Sequence, residues 1–152
     1  SVIARSTGQI MNNNLELLFQ GVNLRSFPFT ITFSPRDDRE SRMVKDIIRR
    51  LKQSMAPKVG DKAAGAAGGI FLKSPDVFQL KYLKDGHDHP FLNSFKLAAL
   101  TGMTVNYTNA GTYTTYEDGT PVNLRMSLTF KELNPIYAED YMQTGAGPGV
   151  GY

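Results

Sequence analysis

His87-Asp88-His89, with Asp85 just before it, is where metal-ligating side chains cluster in this chain. On extended backbone His87 and His89 point to one side, and two imidazoles with a carboxylate can hold a divalent ion. The neighbouring residues argue against that use. Lys84-Asp85-Gly86 and Pro90 mark a turn, and neither a third histidine nor any cysteine completes a ligand set. Glu117-Asp118 offers a second pair of carboxylates for acid and base work, but Gly119 behind it accounts for Asp118 through turn chemistry alone. Gly60 to Gly69 is glycine-rich without the Gly-Lys-Ser/Thr ending that holds phosphates and magnesium. With no nucleophile beside a base, no catalytic residue, cofactor site or metal site is expected, and the chain reads as something other than an enzyme.

A constellation of another kind lies between Arg36 and Lys52, which carries seven basic residues. Arg42, Lys45, Arg49 and Lys52 fall at offsets of three, seven and ten, so a helix gathers them into one stripe. Asp46 lies within reach of Arg42, Arg49 and Arg50. The stripe is either a solvated helix surface with local ion pairs or a docking surface for an acidic partner.

The elements that must position these groups are legible in the hydrophobic pattern. Val122, Leu124, Met126, Leu128 and Phe130 alternate with Asn123, Arg125, Ser127, Thr129 and Lys131, the period of a strand with one dry and one wet face. Tyr116-Glu117-Asp118-Gly119-Thr120-Pro121 precedes it, and Asp-Gly predicts a type I′ hairpin turn there. Phe27, Phe29, Ile31 and Phe33 share the dry face of an earlier strand, Arg25 to Phe33, and Pro28 predicts an edge, a bulge or the start of pairing. Ser34 as cap, Pro35 at the first helical position and Asp37 three residues after the cap predict a helix over about 35–55, ended by Pro57. Its apolar stripe is Met43, Val44, Ile47, Ile48, Leu51 and Met55. Further strands are predicted at Ile70 to Lys73, at Val77 to Leu83 with Phe78, Leu80 and Tyr82 on one face, and at Met103 to Thr108; Ser94 to Leu100 fits strand or helix. Residues 60–69 are read as a flexible loop and residues 144–152 as an irregular, glycine-rich tail, leaving one domain over 1–143.

At 152 residues the chain can bury roughly 68–70% of its unfolded surface, enough for one core. No apolar run approaches the ~18 residues of a membrane span, so membrane insertion by this chain is not expected. The lack of cysteine fits a reducing compartment. The sequence starts at Ser1 with no charged-then-apolar leader, and a start without methionine fits processing or a fragment of a longer polypeptide. The net charge of +3 hides a gradient: residues 1–109 carry 15 basic and 9 acidic side chains, residues 110–152 carry 2 and 5. Such asymmetry suits self-association, positive surface to negative surface, although clustering by chance on a solvated surface gives the same count. A pI near 9.2 and strands rich in Phe and Tyr also fit a basic module binding single-stranded nucleic acid, except that the alternating phenylalanines point toward a core.

Four fragments, in order, carry a resemblance. They are Asn14 to Phe27, with Gly21, Arg25 and Phe27; Phe33-Ser34-Pro35-Arg36; and Tyr116 to Val122, with Glu117, Asp118 and Gly119, followed by Ser127 to Tyr137, with Phe130, Glu132 and Pro135. Over roughly residues 12–141 the chain resembles the tail-tube family of contractile-tailed phages, in particular the tube-initiator and tube-cap members found in the baseplate of T4-like phages. The resemblance implies a mainly β (α+β) fold, an antiparallel β-barrel or sandwich with one flanking helix. It implies a homohexameric ring that joins the baseplate hub to the tail tube and templates tube polymerisation around a central channel. Implied partners are copies of itself, the tail-tube protein, baseplate hub proteins and the sheath or tape-measure protein, with DNA passing through unrecognised. The implied location is the virion, after assembly in the host cytoplasm. Asn123, Arg125, Ser127, Thr129 and Lys131 would then face the channel. Initiator-type members are longer, so the chain would correspond to their carboxy-terminal domain; the tube protein proper is the near alternative.

Overall fold

The computed structural model describes residues 21–60, 72–108, 115–117, 119, 121–142 and 149–152. Its centre is a three-stranded antiparallel sheet of β1 (Ser26–Phe33), β6 (Ala98–Asn106) and β7 (Leu124–Glu132), in the order β1-β7-β6. Helix α1 (Asp38–Met55) lies against it, and β2 (Lys58–Val59) with β3 (Leu72–Lys73) and β4 (Leu83–Lys84) with β5 (His87–Asp88) form two short hairpin pairs. Among the described residues the fold is mainly β with one α-helix, as the sequence predicts, but the sheet is open and no barrel closes.

The closing strand takes the middle of the sheet, where its dry face is covered by a strand on either side. Leu124, Met126, Leu128 and Phe130 are all buried. Phe27 and Leu100 flank Phe130, Phe29 and Met103 flank Leu128, and Ile31 and Val105 flank Met126. Phe29 and Phe78 both meet Phe130 edge to face, with ring centroids 5.9 and 5.2 Å away. The strand runs Leu124–Glu132 rather than beginning at Val122, since Pro121 is held in a separate bridge to Thr115. Pro28 sits on β1, an outer strand, in keeping with its missing N–H.

Helix α1 starts later than Ser34-Pro35 suggests. Asp37 is the cap, its carboxylate accepting from the Glu40 N–H at 2.8 Å, while the Ser34 hydroxyl is engaged by Asn123 and Pro35 is buried. The apolar stripe is also divided: Val44 is buried and Ile48, Leu51 and Met55 pack on the sheet core, but Met43 and Ile47 stay exposed, as does Ile31. The helix crosses the sheet so that only part of its stripe finds cover.

Three predicted segments are redrawn. Val77 to Leu83 is extended but not a strand: Phe78 makes a single bridge to Ala98, β4 begins at Leu83, and Phe78 and Leu80 still pack against the core as their spacing predicts. Ser94 to Leu100 and Met103 to Thr108 merge into one strand, β6, through a register shift between Leu100 and Gly102 that leaves Thr101 extra. The type I′ turn belongs to the other Asp-Gly pair, where Asp85 (φ 53°) and Gly86 (φ 78°) join β4 to β5. At the predicted site Gly119 donates to the Tyr116 carbonyl at 2.9 Å, so it closes the turn with φ 83° instead of occupying its centre. The predicted loop over 60–69 lies, apart from buried Gly60, outside the described residues. Of the glycine-rich tail, residues 149–152 are described; they have no regular structure but are docked, with Val150 N–H on the Phe91 carbonyl and Gly151 accepting from Ser94.

Candidate functional site

The two histidines take structural parts in the described chain. His89 Nδ1 accepts the backbone N–H groups of Phe91 and Leu92 at 3.2 and 3.1 Å, so it organises the turn after Pro90. His87 and Asp88 pair with Lys84 and Leu83 as strand residues, and among the described residues no three potential ligands converge. Glu117 is exposed, and Asp118 lies outside the described residues.

Polar chemistry is concentrated instead at the far end of β7, in a pair the sequence reading did not foresee. Glu132 follows Phe130 on the dry side and is 0% exposed. Its two carboxylate oxygens accept from Arg25 Nε at 2.6 Å and Nη2 at 3.0 Å, a bidentate fork, and Oε2 also accepts from the Lys96 N–H at 2.6 Å. Arg25 stacks on Phe27, 5.0 Å from its centroid, and donates to the Ser94 carbonyl. A buried carboxylate without such partners would be costly, so the three donors are the condition for its presence. The signal was available in the strand parity: Arg25 has the same parity as Phe27, and Glu132 the same as Phe130.

A second layer ties the chain's last described residues to this pair. Lys96 Nζ donates to Asp140 Oδ2 at 2.7 Å and to the Pro135 carbonyl at 3.0 Å, and lies 5.4 Å from the Tyr152 ring centroid. The Lys96 ammonium, helped by the Tyr137 N–H, holds the Asp140 carboxyl below its ordinary value of 3.8. Any Cβ on Gly149 would run into the Leu92 carbonyl oxygen, so the segment seats only by backbone-to-backbone approach. Because the folded value is depressed, Asp140 contributes its stabilisation in full above pH 3.8 and loses it as pH falls through the folded value. Protection of the Val150 and Ser94 amides, measured against an unstructured chain at the same pH, should therefore fall on acidification below that point, and Asp140→Asn should show low protection at every pH; identical protection profiles for the two proteins would exclude the ion pair as the clamp.

The basic stripe lies at the opposite end of the sheet. Lys45, Arg49 and Lys52 border a cleft of 720 Å³ between α1 and the start of β7, whose apolar lining includes Val44, Ile48, Pro121 and Leu124. Arg42 is exposed but does not line it. Among the described residues none of these four cations is in an ion pair, and Asp46 pairs with none of them. Arg36 is the cation at this end that is committed: its guanidinium and backbone N–H both engage Glu40, which holds the Glu40 carboxyl below its ordinary value.

The wet face of the sheet carries the remaining candidates. Arg125, Ser127, Thr129 and Lys131 sit beside Thr32, Thr30, Pro28 and Ser26 on one flank and Asn106, Thr104, Gly102 and Ala99 on the other. No large apolar side chain lies on these rows, whereas α1 packs on the other face. Asn123 falls just outside β7 and is occupied with Ser34. Of the family-motif residues, Phe130 is core and Arg25 and Glu132 are the buried pair, while Gly21 is exposed with φ 102°. Compared with protein-family models, with curated proteins and with solved structures, the chain gives no match.

Proposed function

We propose that this chain is a structural subunit of a contractile phage tail, forming a hexameric ring that joins the baseplate hub to the tail tube and templates tube polymerisation around a DNA channel. The observation that carries the reading is the three-stranded sheet, with one face packed under a helix, the other hydrophilic and free of large apolar side chains, and both outer strands open. Among the described residues nothing pairs with the outer edge of β1, and β6 is bridged only at Ala98. Open edges invite pairing with another chain, and closure into a ring consumes them. This face carries Ser, Thr and Asn with a cation at each end, Arg125 and Lys131, a hydrophilic wall with no base-reading or stacking group for a polyanion that passes along it. The order of the motifs around α1 adds the resemblance to tube-initiator and tube-cap proteins, with hub, tube, sheath and tape-measure proteins as the neighbours it brings.

A basic module for single-stranded nucleic acid fits less well, because Phe27, Phe29 and Phe130 form the core beneath α1 and Phe95 rather than a stacking platform. Light scattering and negative-stain microscopy of the purified chain test the choice. Closed six-fold rings that survive nuclease are expected. A monomer at all concentrations, with steeply salt-dependent affinity for single-stranded DNA, would overturn the assembly reading.

A further inference from the structure

We infer that the cleft along α1 is the receptor for residues 135–142 of a second copy, so that subunits join head to tail. The inference rests on the ring reading and names its contact. Between Ser41 and Ala56 the cleft runs about 22 Å at the rise of a helix. Val44, Ile48 and Leu124 supply its apolar floor, and Lys45, Arg49 and Lys52 its cationic rim. Nothing among the described residues neutralises those cations.

The complementary surface belongs to the same chain. Tyr137 and Met142 flank a single 3₁₀ turn, Ala138–Tyr141, and with Tyr141, whose hydroxyl donates to the Tyr152 carbonyl, they are 51%, 84% and 53% exposed. Glu139 projects among them with no ion pair among the described residues. Apolar side chains around one free carboxylate match an apolar floor with a cationic rim, and they span a length the cleft can take. The segment cannot reach its own cleft. It is tied to Lys96 through Pro135 and Asp140, at the end of β7 where Glu132 lies, whereas the cleft opens beside Leu124 at the other end. Nine residues of strand, about 27 Å, stand between them. Each copy therefore carries plug and socket at opposite ends. That contact is heterologous, and it closes into a ring or runs on as a filament according to the rotation between copies.

Charge reversal of each side alone and of both in mixture tests the pairing. Lys45→Glu with Arg49→Glu makes the socket acidic, and Glu139→Lys with Met142→Lys makes the plug basic. All four positions are exposed, and circular dichroism melts should be unchanged. Each double variant alone should self-associate at least about tenfold more weakly than the wild type in sedimentation velocity. An equimolar mixture should recover assembly, since every plug then meets a socket of opposite charge. A wild type that forms rings while either variant assembles normally, or while the mixture stays dissociated, overturns the plug-and-socket contact but leaves the ring. A wild type that remains monomeric, or that retains only added polyanion or an acidic protein in the cleft, overturns both.

Discussion

Arg25→Met is expected to cost about 3–5 kcal/mol in denaturant unfolding, because it strands the Glu132 carboxylate, 0% exposed, without its bidentate partner. Against a total of roughly 5–15 kcal/mol for a domain, that is a large share of the stability. The loss comes from the uncompensated charge more than from the missing bond. Arg25→Met with Glu132→Leu should therefore recover most of it, since a well-packed apolar pair of similar volume is often as stable as a buried ion pair. A double variant as unstable as the single one would show that the pair is needed for shape, through the Lys96 N–H and the Ser94 carbonyl, rather than for charge balance.

Leu128→Asp and Thr129→Asp form the second test, on adjacent residues of the central strand. Leu128 is buried between Phe29 and Met103, and a carboxylate there has no donor to meet, so several kcal/mol should be lost and folding should fail. Thr129 lies on the polar face between Pro28 and Gly102, and its replacement should leave a folded subunit. If that face lines a ring, six added carboxylates share one circumference and weaken closure most at low salt. Solubility, melting temperature and oligomer size measured together separate these effects; equal tolerance of both substitutions would contradict the facing of β7.

What was legible in the chain follows from where side-chain pattern alone decides structure. The alternation of Leu124 to Phe130 dictates a strand and its buried face, because any slip of one residue would place the leucines in water. It does not identify the partner strands, and β1 comes from 91 residues earlier, as the register Phe33 to Leu124 has it. Facing survives where pairing does not: Phe78 and Leu80 point inward as their spacing requires, yet hydrogen bonding to β6 stops after Ala98. Helix start and turn type depend on competition between nearby polar groups. Asp37 displaces Ser34 as cap once Asn123 occupies the Ser34 hydroxyl, a contact across 89 residues that no local window contains. The Arg25–Glu132 pair was concealed by residue type, since charged side chains on a dry parity read as interruptions until the two strands are set side by side. The cleft is a relation between a helix and a distant strand end, and its cations could be read but not its floor.

Pro28 has a consequence for how such a sheet can grow. The Glu132 N–H donates to the Arg25 carbonyl at 2.9 Å, so the odd-numbered residues of β1 turn their backbone groups toward β7. Ser26, Pro28, Thr30 and Thr32 consequently present theirs outward. The proline nitrogen has no hydrogen to give, and the outward row is interrupted between Ser26 and Thr30. An incoming strand keeps all its bonds only if none of its acceptors comes opposite that gap, so any strand laid across the whole edge gives up a bond there. The edge thus carries a built-in interruption that denies indiscriminate strands a continuous template.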